Sequence, residues 1–212
     1  MSGVSVGFVG LGMMGSGMAK NLVRKGFPLT VIAHANRAPV DALVKLGASE
    51  AASLEDLASR SEIVVLCVTG SPQVESVVAG LAAARKPLMI IDCSSSDPSS
   101  TTRLAAQLAP INIELIDAPL SRTPADAEAG TLDVMAGGDD AAFERARPVL
   151  ETFAGRIVRT GPVGSAHTVK LLNNFVALGY AALYAEALAL GAKAGLTPQV
   201  FDAVIRNGRM DC

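Results

Sequence analysis

The stretch Gly10-Leu11-Gly12-Met13-Met14-Gly15 directly follows the short apolar segment Val4-Ser5-Val6-Gly7-Phe8-Val9 and leads into a helical pattern. Strand, tight turn and helix start, in that order, are what a dinucleotide pyrophosphate requires. The first glycine makes the turn, the second lets the backbone approach the phosphates, and the third lets the helix pack on the strand. The helix then presents unpaired N–H groups to the anion. Gly10, Leu11, Gly12, Met13, Met14 and Gly15 are therefore the first candidate cofactor-binding set. Packing is the plainer role for the two methionines.

Beyond this turn, helical and apolar segments alternate. Met18 to Lys25 is helical in pattern and Gly26 ends it, after which Phe27 to Ala33 reads as a second strand. Ile63 to Val68 is continuously apolar, as suits a strand covered on both faces. Leu88–Asp92, Ile113–Asp117, Leu132–Ala136 and Arg156–Arg159 continue the series, with alanine-rich helical stretches such as Thr101 to Leu108 between them. The pattern predicts an α/β fold with a Rossmann-type doubly wound, mostly parallel sheet over residues 1–162. From Val163 the texture changes to a long helix reaching about Ala194 and a shorter one from Pro198, so residues 163–212 are expected to be an interdomain helix and the start of an all-helical domain. The run Leu171 to Gly191 is apolar enough to span a bilayer. Asn173, Asn174 and Glu186, and flanks without aromatic and basic anchors, argue instead for a buried helix bridging two domains.

Composition narrows the partners. Of 212 residues, 50% are hydrophobic and 18% charged, with a net charge of -2 and no lysine or arginine run, so a nucleic-acid footprint is absent and a small ligand is expected. Cys67, Cys93 and Cys212 are widely spaced, without a CxxC pair, and His34 and His167 lack metal-ligand spacing; neither a disulfide framework nor a metal site is expected. A first strand starting so near Met1 leaves no room for a signal peptide, and cytoplasmic location is the expectation. No membrane partner is expected either.

Cofactor choice is read at the end of the second strand. NAD-selective sites place an acidic residue about 20 residues past the fingerprint, where it binds the ribose hydroxyls. Here the region reads Ala33-His34-Ala35-Asn36-Arg37, with no carboxylate before Asp41. Arg37 offers a cation with several donors to a 2′-phosphate, so Asn36 and Arg37 point to NADP, with NAD the less favoured cofactor.

Four segments together resemble the β-hydroxyacid dehydrogenase family, which includes 3-hydroxyisobutyrate dehydrogenases and 2-hydroxy-3-oxopropionate reductases. They are Gly7 to Gly15, Asp92-Cys93-Ser94-Ser95-Ser96-Asp97-Pro98, Asp117-Ala118-Pro119-Leu120-Ser121 and Lys170-Leu171-Leu172-Asn173-Asn174. The resemblance implies hydride transfer between a nicotinamide and a small hydroxyacid or semialdehyde acid, in a homo-oligomer. It makes Lys170 the catalytic lysine and Asn174 the residue working beside it; at i and i+4 the two share a helix face. It places Val68, Thr69 and Ser95 along the cofactor, and Ser121, Arg122 and Thr123 at the substrate carboxylate.

The departures carry their own expectations. Where the family usually has two glycines after Ser121, this chain has Arg122 and Thr123. A guanidinium there can grip an oxyanion with two hydrogen bonds, which implies a substrate with an additional anionic group. Ala166 stands where glycine is frequent. Family members continue through several further helices beyond the position of Cys212, so the expectation is that either the chain is a fragment or the protein lacks a complete lid over the site. A 6-phosphogluconate-type enzyme would carry His-Asn where Asn173-Asn174 stand, and imine reductases usually replace the lysine. A non-catalytic NADP-binding module is the alternative of a different class.

Overall fold

The computed structural model describes residues 3–206. The chain divides into two compact units, Met1–Lys170 and Leu171–Cys212.

The first unit opens with β1 (Val6–Val9), α1 (Gly15–Arg24), β2 (Leu29–Ile32), α2 (Ala38–Lys45), β3 (Ser49–Ala51), α3 (Leu54–Ser59) and β4 (Ile63–Leu66). It continues with α4 (Ser71–Ala82), β5 (Leu88–Asp92), α5 (Pro98–Leu108) and β6 (Ile113–Asp117). Then come β7 (Leu120–Ser121), α6 (Pro124–Ala129), β8 (Leu132–Gly137), α7 (Asp140–Leu150), β9 (Ala154–Gly161) and the first turns of α8 (Ser165–Lys193). The strands form one sheet in the order β3-β2-β1-β4-β5-β6-β8-β7, with β9 pairing β8. From β3 to β6 all pairings are parallel, whereas β8 runs antiparallel to β6 and β7. This is the Rossmann-type doubly wound sheet, and the strand order reverses between β1 and β4. Ligands of such sheets bind at that switch point, outside the carboxyl ends of the strands.

Alternation along the strands feeds one core on each face of the sheet. In β4, Ile63 and Val65 enter a cluster with Phe8, Met18, Leu22 and Ile91, while Val64 and Leu66 enter the opposite cluster with Leu57, Leu81 and Ile90. Burial on both faces explains why these strands read as unbroken apolar runs. Two strands escape the sequence pattern. β3 is a three-residue edge strand with two exposed residues, and β7 is only two residues long, too short for any period to register.

In the second unit, α8 continues to Lys193 and is followed by α9 (Pro198–Ile205), capped by the Thr197 hydroxyl. α8 is long and apolar enough to cross a membrane by length and composition alone. Among the described residues of α8, Ala166 and His167 are buried and Phe175, Leu178 and Leu183 are exposed.

Candidate active site

The fingerprint glycines perform three different tasks. Gly10 adopts φ 101° at the turn, and a Cβ there would collide with the Cys67 carbonyl. A Cβ on Gly15 would strike the Gly10 carbonyl, so this glycine lets α1 close on β1. Gly12 is exposed, and nothing lies within 4 Å of a Cβ built on it. The fold does not need that glycine, and the backbone there is open to a group approaching from outside. A bare backbone at the N-terminal end of α1 fits a pyrophosphate. Gly12→Val is therefore expected to melt within a few degrees of the parent while losing about 10- to 100-fold in dinucleotide affinity, as the loss of a backbone hydrogen bond to a charged phosphate implies. Thermal melting and nicotinamide fluorescence titration measure the two separately.

Other candidate residues follow the carboxyl ends of neighbouring strands. Asn36 and Arg37 follow β2, Val68 and Thr69 follow β4, and Ser95 follows β5. Asn36 Oδ1 accepts from the Ala38 amide at 3.1 Å, so its side chain also shapes the entry to α2. Arg37 does not stand free: it forms a fork with Glu50 (Nη1–Oε1 2.9 Å, Nη2–Oε2 3.0 Å) and reaches Asp41 at 3.2 Å.

The serine-rich turn after β5 divides its labour. Buried Asp92 accepts from the Ser94 amide at 2.9 Å and the Ser96 hydroxyl at 3.0 Å, while the Ser94 hydroxyl accepts from the Val68 amide at 3.0 Å. Ser94 thus ties the segment after β4 to the turn after β5, Ser96 folds that turn back on Asp92, and Ser95 between them is left exposed.

The start of α8 is fixed to the same region by residues whose roles the sequence reading missed. Asp117, the last residue of β6, accepts from the Gly164 amide at 2.8 Å and the His167 amide at 2.8 Å, capping the helix from a distant strand. An anionic acceptor at a helix N-terminus satisfies orphan N–H groups and complements the helix dipole. Gly137 on β8 makes room for it, since a Cβ there would collide with the carboxylate. His167 is wholly buried, with Nε2 3.1 Å from the Ser94 carbonyl and Nδ1 2.8 Å from the Thr101 hydroxyl. A carbonyl can only accept, so Nε2 carries the hydrogen. The available signal was a carboxylate ending an apolar strand, because a buried carboxylate must find donors.

Lys170 follows His167 by three residues. It is half-buried, and that burial lowers its pKa from the ordinary lysine value. Asn174 lies one turn further along α8, in the second unit. Cys67 and Cys93 are poor nucleophile candidates: burial, with the charge of Asp92 adding to it, pushes the Cys67 thiol up to about 12, and burial raises Cys93 well above the usual range.

The Ser121–Thr123 segment joins β7 to α6. The Thr123 hydroxyl caps α6 in a reciprocal capping box with Asp126. Arg122 adopts φ 87°, a left-handed conformation that favours glycine, and its Nε donates to Asp133 Oδ2 at 2.9 Å. Neither Thr123 nor Arg122 is an idle donor. α6 in turn packs on the fingerprint helix: Asn21 donates to the Ala127 carbonyl at 2.8 Å, and Lys20 pairs with Glu128 at 2.9 Å.

Residues 5–161 match the family model described as the NAD binding domain of 6-phosphogluconate dehydrogenase. The 2-(hydroxymethyl)glutarate dehydrogenase of Eubacterium barkeri is 38% identical over 207 residues, covering 95% of this chain and 68% of that protein. The chain belongs to the β-hydroxyacid dehydrogenase family. The 2-hydroxy-3-oxopropionate reductase of Escherichia coli K12 is 36% identical, over 92% of this chain and 68% of its own length. The Mycobacterium tuberculosis 3-hydroxyisobutyrate dehydrogenase structure with L-serine superposes with a TM-score of 0.91 at 29% identity, covering 99% of this chain and 72% of that one. This β-hydroxyacid dehydrogenase is accordingly an oxidoreductase of a family of NAD(P)-dependent hydroxyacid dehydrogenases.

Proposed function

We propose that this β-hydroxyacid dehydrogenase uses NADP(H) to interconvert a small β-hydroxyacid and its semialdehyde, with a second anionic group on the substrate. The observation that carries the reading is the anchoring of α8: Asp117 and the His167–Ser94 bond fix the first turns of the lysine-bearing helix to the end of the sheet that holds the fingerprint turn. The bound dinucleotide supplies or accepts the hydride. Lys170 supplies the proton to the carbonyl oxygen in the reductive direction and takes it from the hydroxyl in the oxidative one. Its lowered pKa favours the second role at neutral pH more than a solvated lysine would allow. Asn174 holds the same oxygen from the next turn. Val68, Thr69 and Ser95 line the cofactor, and Ser121, Arg122 and Thr123 receive the substrate carboxylate.

The second anionic group is supported by Arg122, a cation where glycine is the better backbone choice. The relative named for 2-(hydroxymethyl)glutarate acts, by that name, on a dicarboxylate. Loss of nicotinamide absorbance across a panel of semialdehydes with one or two anionic groups tests the reading; a rate no higher for the dianionic members removes the second anion. Arg37→Ala is expected to weaken NADPH by about tenfold or more, as the loss of a charge-assisted contact implies, and to leave NADH nearly unchanged. Equal loss for both cofactors removes the NADP assignment.

A further inference from the structure

The cation read as the 2′-phosphate residue has an occupant already, and it comes from an element invisible in the sequence pattern. β3 is the edge strand of the sheet, in parallel register with β2 so that Glu50 stands opposite Val31. The strand ladder and a 3.0 Å bond from Arg60 Nη1 to the Glu50 carbonyl hold the backbone. From there the Glu50 carboxylate meets Arg37 in two parallel N–H···O bonds of 2.9 and 3.0 Å, the geometry in which a guanidinium also receives a phosphate. Asp41, one turn along α2, adds a third bond at 3.2 Å. One cation facing two carboxylates leaves this corner with a net charge of -1. A 2′-phosphate carrying close to two negative charges must therefore displace or share Glu50, whereas a plain ribose diol need not.

We propose that Glu50 is a specificity-determining residue for the cofactor, competing with the 2′-phosphate for Arg37 and so limiting the preference for NADPH over NADH. The proposal rests on Arg37 as the phosphate-binding residue. Glu50 touches Arg37 rather than the reacting atoms, and its effect falls on cofactor affinity and not on the chemical step.

The test is equilibrium binding of NADPH and NADH to the full chain, followed by nicotinamide fluorescence, for the parent, Glu50→Gln, Arg37→Ala and the double variant. The chain contains no tryptophan, so protein emission does not interfere strongly with the signal. Glu50→Gln is expected to tighten NADPH by about three- to tenfold, as removal of one exposed competing charge suggests, with NADH changed less than about twofold. The gain should shrink at high salt, because the charges are exposed. In the Arg37→Ala background the same substitution should no longer tighten NADPH selectively. An unchanged NADPH affinity in Glu50→Gln, equal tightening of both cofactors, or the same gain without Arg37 overturns the proposal. Arg37→Ala alone judges the underlying assignment: if it weakens both cofactors equally, that reading fails independently of Glu50. Glu50→Ala repeats the test should Glu50→Gln prove unfolded by circular dichroism.

Discussion

Lys170→Ala is expected to lower turnover by about 10²- to 10⁴-fold, the usual contribution of a positioned proton-transfer group, while NADPH affinity stays within about twofold. The separation follows from location. Lys170 sits on α8, whereas the dinucleotide turn is built by β1, α1 and the glycines between them. The pH dependence has a defined sign. Burial lowers the Lys170 pKa, so the ammonium is lost at a lower pH than for a solvated lysine. Reduction needs the protonated amine and should decline as pH rises through that lowered value; oxidation needs the free amine and should gain over the same interval. Lys170→Arg keeps a charge but holds its proton over the whole range, and should therefore lose the oxidative direction most. Rates measured in both directions across pH provide the check. A near-normal rate for Lys170→Ala would remove the lysine from the chemistry.

Asp117→Ala is expected to be the most destabilising of the substitutions considered. The carboxylate is wholly buried and accepts from two backbone amides of the α8 start, which alanine leaves without an acceptor. Two unsatisfied buried N–H groups and the lost dipole complement amount to about 3 kcal/mol or more. For a chain of this size that is a fall in Tm of about 6–12 °C. Asp117→Asn retains one accepting oxygen and should lose about half as much. Chemical denaturation of the two variants against the parent measures this. A loss under about 1 kcal/mol for Asp117→Ala would mean that the cap contributes little beyond ordinary surface contacts.

How much of this was legible beforehand varies with the range of the interaction. The glycine turn, the parallel strands β1, β2, β4, β5 and β6 and the long helix are written in local periodicity, and each forms close to where the sequence places it. β3 was not legible, because Ser49-Glu50-Ala51 is short, half polar and at a sheet edge, where no apolar alternation is required. With β3 unseen, Glu50 could not be brought to Arg37, and the arginine read as free. The surroundings of α8 were not legible for the opposite reason. Its apolar composition is a strong local signal, yet exposure depends on which elements cover it.

The sequence by itself determined the dinucleotide turn and the doubly wound sheet, because glycine spacing and hydrophobic period act between residues a few positions apart; the family followed from its resemblance in four motifs from Gly7 to Asn174. Only the tertiary structure decided that Asp117 caps the lysine-bearing helix 47 and 50 residues away, that His167 is bonded to the serine-rich turn 73 residues before it, and that Glu50 shares Arg37. Hydrogen-bonding valence explains the difference. A buried carboxylate or imidazole must find partners, and its residue type announces that need, but strand order and register choose which distant donor meets it.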